Sequence, residues 1–299
     1  MATQTLPRNE APGVPAVRAA RRPAWRRFRA NGVAVGSAAF LLLMYAVAAA
    51  GALITPYPPN AVDIMNANAR PSPAHWLGTD ENGRDVLARL IAGARTTMTV
   101  GLIAMVIAIV IGACVGSAGG YLGGWADAVL MRFTDGMMAI PYFFLVLIVV
   151  AVFGSSLRNI LVAIGVTSWM VVARIVRGDV LRYRGLDFVL AARALGARSG
   201  RILMRHIVPQ AVPSIIVAAT FGVANAILLE SALSYLGLGI QAPQASWGNM
   251  LSNAQAYVWE NPLLPIYPGF LILFTVLAYN FLGDALRDAL DPRFKESDL

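Results

Sequence analysis

Thr96 to Ala126 reads TTMTVGLIAMVIAIVIGACVGSAGGYLGGWA, 31 consecutive residues without a formal charge. An α-helix rises about 1.5 Å per residue, so about 20 apolar residues cross the roughly 30 Å hydrocarbon core of a bilayer. The run is long enough, and a span is expected at about Met98 to Tyr121. Gly112, Gly116 and Gly120 recur every four residues inside it and line one helix face, where the missing side chains let a second helix approach closely. Cys114, the single cysteine, lies in the same run, which excludes an internal disulfide and leaves a small packing residue.

Working outward, the pattern repeats. Ala30 to Val62 carries no charge for 33 residues, far longer than a cleavable signal core, and a first span is expected at about Val33 to Ile54, closed by Pro56, Pro58 and Pro59. Residues 1–29 hold seven arginines against one acid and read as a disordered basic tail at a membrane face. Residues 55–95 form a polar connection whose four arginines and four acids cancel. Beyond the central run, 22 uncharged residues from Gly136 to Leu157 support a third span over 141–157. Only 15 residues separate Arg158 from Arg174, so a fourth span over 158–177 needs both arginines to snorkel. A fifth fits Pro213 to Tyr235 and a sixth Pro265 to Gly283.

With 58% apolar residues, 13% charged residues and a mean hydropathy of +0.63, the chain is an all-α integral membrane protein of about six helices, with 30–299 as its transmembrane domain. The net charge of +8 reports topology rather than nucleic-acid binding. Eight arginines and two aspartates lie from Arg174 to Arg205, and the positive-inside tendency wants them on the side of the basic tail. Four crossings put them there, which requires the fourth span. Both termini are then cytoplasmic, 55–95 is external, and so is 237–264, which has no basic residue.

Catalytic chemistry is poorly supported. A phosphate-binding P-loop needs a lysine, and the only one, Lys295, stands outside any such pattern, so any ATP dependence has to come from another chain. His75 and His206 fall on opposite sides of the expected membrane and cannot share a metal. Glu230 is the one acid within an expected span, and an unpaired charge there costs at least about 3 kcal/mol. It is expected near the outer mouth, either hydrogen-bonded to a neighbouring helix or serving a gate or pathway. Asn225 and Asn280 are similar polar candidates, with interhelical hydrogen bonding as the default.

The internal loop carries most information. Asp187 is positioned to cap a short helix from Phe188 to Leu195, whose Phe188, Ala191, Ala192 and Leu195 share an apolar face; Gly196 follows where a left-handed terminator is favoured. A second short helix from Gly200 to His206 completes a hairpin before Pro209, with a basic edge of Arg193, Arg198, Arg201 and Arg205. Such a loop either rests on anionic headgroups or docks a soluble partner.

Here the run FVLAARALGARSGRILMRHIVPQ resembles the EAA loop of ABC-importer permeases. HWLGTDENGRDVLARLIAGAR at 75–95, SYLGLGIQAPQASWGNML at 234–251 and GDALRDALDPRF at 283–294 narrow the resemblance to the dipeptide, oligopeptide and nickel branch, as its second permease. The resemblance covers roughly 25–295 and implies a type I importer permease fold with a cytoplasmic coupling loop at 187–209. It also implies a bacterial inner-membrane location, a second permease, two ATPase domains that bind ATP and magnesium, and an extracytoplasmic solute-binding protein, with no cofactor held by this chain. The docking role falls on Leu190, Ala191, Ala192, Arg193, Gly196, Arg198 and Pro209. Leu190 replaces the acid that gives the loop its name, so a polar or capping contact expected there is missing. The implied solutes are dipeptides or oligopeptides, with glutathione or a nickel chelate as alternatives; a secondary transporter or a membrane scaffold is the rival class.

Overall fold

The computed structural model describes residues 24–290, and the basic tail before Ala24, Lys295 and the end of the 283–294 block lie outside them. Eleven helices follow in order. They are α1 (Ala24–Ala30), α2 (Gly32–Ile54), α3 (Val86–Leu122), α4 (Gly124–Ala139), α5 (Tyr142–Phe153), α6 (Leu157–Tyr183), α7 (Asp187–Ala194), α8 (Ser199–Ile202), α9 (Val208–Tyr235), α10 (Trp247–Ala254) and α11 (Leu263–Leu290). Five helical stretches are long and apolar enough to cross a bilayer, and six result when the bent pair α4–α5 counts as one.

The tightest packing joins α3 to α6, and glycine is the reason. A Cβ on Gly112 would stand 2.6 Å from Val172 Cβ and 2.7 Å from the Trp169 carbonyl; one on Gly120 would stand 2.9 Å from Val180 Cβ. Gly165 of α6 returns the favour, since its Cβ would lie 2.8 Å from Ile107 Cβ. Lipid tails are as apolar as leucine, so close van der Waals contact and interhelical hydrogen bonds hold such helices together. One of those bonds, Tyr45 Oη to Tyr279 Oη at 2.7 Å, ties α2 to α11.

Several expectations are corrected. Residues 24–29 of the supposed tail are helical, forming α1. The polar connection ends at Asp85, whose side chain accepts from Ala88 N at 2.8 Å and starts α3 twelve residues before the expected span. Charges at 84–89 are tolerated because they are paired: Arg84 Nε lies 2.7 Å from Asp80 Oδ2, and Arg89 Nε 3.3 Å from the same oxygen. The segment 55–85 is consequently a folded cap. Gly83 (φ +71) sits where a Cβ would collide with the Asp63 carbonyl, and His75 Nδ1 lies 2.8 Å from Asp85 Oδ2.

The span expected over 141–157 starts where expected, as α5 after Pro141, but stops at Phe153. Ahead of it α4 meets α5 at an 86° bend at Ile140–Pro141, where proline has no N–H for the helix and holds Ile140 extended (ψ 126). The fourth expected span, α6, runs on to Tyr183, because its basic end is paired with α4 rather than left to snorkel. Arg177 Nε and Nη2 meet Asp127 at 2.5 and 2.6 Å, and Arg174 Nη2 meets Asp135 at 2.5 Å. The expected second helix of the internal hairpin is also revised. α8 passes through a π turn, Leu203–Ile207, straight into α9, and Pro209 occupies the first turn of α9 instead of closing the loop.

Candidate functional site

Two places gather the residues singled out from the sequence. The first is the exposed loop built by α7 and α8. α7 is not capped by Asp187; Leu186 is its N-cap without a side-chain bond, and Asp187 is the first helical residue, where a negative charge suits the helix dipole. The C-terminus is a Schellman motif. Gly196 has φ +80, its N–H donates to Arg193 O at 3.0 Å, and Ala197 N–H donates to Ala192 O at 3.0 Å. Of the expected apolar face, Ala192 packs on the bundle, while Phe188, Ala191 and Leu195 stay exposed. Val189 and Ile202 are fully buried, with Ala192 and Ala197 packed against the same cluster. Phe188 and Leu190 are about half exposed, Met204 is 67% exposed and Leu195 88%, so the other side of the loop is an apolar surface fringed by exposed Arg193, Arg198, Arg201 and Arg205. Leu190 and Ala191 belong to that outer side, and a Cβ at Gly196 would meet nothing within 4 Å.

The second place is Glu230, fully buried on α9. Thr97 Oγ1 of α3 donates to Oε2 at 3.0 Å, and Ser234 Oγ donates to Oε1 at 2.7 Å. Ser234 Oγ accepts from Ile240 N at 3.0 Å, and Thr97 Oγ1 accepts from Trp247 N at 3.3 Å. The carboxyl group therefore fastens two spans and the 236–247 loop at one point. Trp247 completes the junction by donating its indole N–H to Leu90 O at 3.0 Å, over Gly93. Thr97, Ser234 and Trp247 were not singled out from the sequence. Ser246 and Asn249 form a capping box ahead of α10, a local pattern that marks the start of a helix and carries no information about what the helix packs on.

Asn225 and Asn280 do not join this cluster, and the interhelical bonds expected of them are absent: neither side chain makes a hydrogen bond among the described residues. Asn225 is exposed and borders a groove of about 680 Å³ between the α4–α5 bend, α6 and α9, where Tyr142 Oη meets Ser168 Oγ at 2.5 Å. Asn280 is half-buried on α11. No group of His, Cys, Asp and Glu among the described residues could hold a metal ion.

Comparison with known proteins gives a consistent picture. Residues 108–296 match the family model described as binding-protein-dependent transport system inner membrane component, and residues 21–71 match the N-terminal transmembrane domain of oligopeptide transport permease C. The chain is 41% identical to the glutathione transport system permease protein GsiD of Pectobacterium atrosepticum, over 93% of each chain. It is 42% identical to a Brucella suis protein named as a peptide permease, over 80% of each. A structure of the MetNI methionine ABC transporter in inward-facing conformations superposes with a TM-score of 0.56 at 20% identity, covering 68% of this chain and 97% of that one; it shares the fold.

Proposed function

We propose that this chain, which belongs to the inner-membrane permeases of ABC importers in the peptide, oligopeptide and nickel family, forms with a second permease the membrane path for short peptides. It is a multi-pass inner-membrane transport subunit and not an enzyme. Dipeptides and oligopeptides are the solute class read from the sequence. The names of relatives 41–44% identical favour glutathione, itself a peptide, within that class.

One observation carries the proposed mechanism: an ordered helix, α7, ends in a left-handed glycine and turns an apolar, arginine-fringed surface outward from the bundle. Counting α2, α3, the α4–α5 pair and α6 as four crossings puts this loop and α1 on the same side, and the positive-inside tendency of their arginines supports the cytoplasmic one. The exposed surface is suited to a groove on a separate ATPase subunit. Because α8 is continuous with α9, a push on the loop is delivered to the helix that carries Glu230. ATP and magnesium stay with the ATPases, and an external binding protein delivers the solute to the opposite side.

The test is uptake of labelled glutathione and of a labelled dipeptide in cells lacking this gene, with and without a plasmid copy. Restoration of either supports a peptide permease and identifies which peptide. Unchanged uptake of both in the deletion strain, with other peptide importers also removed, would refute the assignment.

A further inference from the structure

Three arginines stand on the outer stretch 84–95, and two are already engaged. Arg84 and Arg89 are buried on Asp80, and Arg89 also reaches Pro59 O and Asn60. Arg95 is exposed and makes no hydrogen bond or ion pair among the described residues. It lines a pocket of about 630 Å³ between the end of α2, the 55–60 connection and α3. Polar Tyr57, Asn60 and Gln244 line the pocket too, and no acidic residue among the described ones does.

The helix register indicates what fills it. Leu102, Val106 and Val110 follow Arg95 by seven, eleven and fifteen residues, which places all four on one face of α3, and these three are 47%, 51% and 58% exposed. An apolar stripe thus runs from mid-helix toward the cap and ends, about 10 Å beyond Leu102, in a cation with a polar chamber above it. A lipid has the same order of parts: acyl chain, phosphate, polar headgroup. We propose that this pocket binds the phosphodiester of a lipid in the leaflet bordering the 55–85 cap. Arg95 donates to the phosphate oxygens, the headgroup enters the chamber beside Tyr57, Asn60 and Gln244, and an acyl chain lies along Leu102, Val106 and Val110. The inference depends on the membrane placement of α3 and not on which solute is carried.

The full-length chain, with whatever subunits copurify, is titrated with phosphatidylglycerol in neutral detergent, and bound lipid is counted by native mass spectrometry. One phosphatidylglycerol per chain should be retained. Arg95→Gln should weaken that binding about tenfold, the loss of one charge-assisted hydrogen bond, while Arg95→Lys keeps most of it. An unchanged thermal midpoint for both variants separates lost binding from lost folding. Equal retention by Arg95→Gln overturns the proposal, as does equal competition by uncharged diacylglycerol. Displacement of the lipid by glutathione or a dipeptide would also overturn it, making Arg95 a solute-carboxylate site, and so would burial of the residue against a copurified subunit.

Discussion

Thr97 Oγ1 of α3 donates to Glu230 Oε2 of α9 at 3.0 Å, joining residues 133 positions apart through a carboxyl group with no exposed surface. The same hydroxyl oxygen receives the backbone N–H of Trp247, so one buried acid holds together two long apolar helices and the 236–247 loop.

Glu230→Ala should leave Thr97 and Ser234 without their acceptor and open a cavity. A loss of about 2–4 kcal/mol in stability is expected, read as a lowered unfolding midpoint in detergent. Glu230→Gln retains one carbonyl acceptor and should lose less than half as much. Equal midpoints for wild type and Glu230→Ala would show that the hydrogen bonds carry no net energy.

Gly112→Val should separate α3 from α6, because even its Cβ would stand 2.6 Å from Val172 Cβ. Overpacking of this kind costs about 1–3 kcal/mol or more. Gly178→Ala, on α6 but with open space around it, is the control and should be nearly neutral. The measurement is the fraction of monodisperse protein after heating a membrane extract.

Removal of a paired charge probes the joint between α4 and α6. Arg177 meets Asp127 through two bonds of 2.5 and 2.6 Å, a bidentate geometry. A double-mutant cycle with Arg177→Ala and Asp127→Ala should give a coupling of about 1 kcal/mol, above the median for exposed pairs because the fork geometry fixes both partners. Zero coupling would mean the pair follows the bend at Pro141 without stabilising it.

Gly196→Trp addresses the proposed coupling role. A side chain at φ +80 costs roughly 1 kcal/mol, yet a Cβ there meets nothing within this chain, so insertion and folding should be preserved. Solute uptake should be abolished and copurification of the ATPase subunits weakened, since only a partner surface can be obstructed. Charge reversal at Arg193 or Arg198 should do less, at under about 1 kcal/mol each. Wild-type transport by Gly196→Trp with ATPases fully bound would leave the loop as a lipid-facing surface.

The membrane class, the approximate positions of the spans, the small-residue face at Gly112, Gly116 and Gly120 and the turn at Gly196 were legible in the sequence. Each depends on local quantities: runs of apolar residues, a four-residue repeat, a glycine after a short helix. Composition excluded soluble-domain chemistry for the same reason. What only the tertiary structure decided are the pairings. The sequence has Arg177 and Asp127 50 residues apart, and nothing local says that their pairing lets α6 continue past the expected boundary. Nor does it say that Arg89 is neutralised by Asp80, which turns a polar connection into a folded cap and starts α3 early. Glu230 was recognisable as costly, because one charge in an apolar run is a local fact. Its partners Thr97 and Ser234 became visible only when α3, α9 and the following loop were brought together, since a hydroxyl has no address until the chain folds around it.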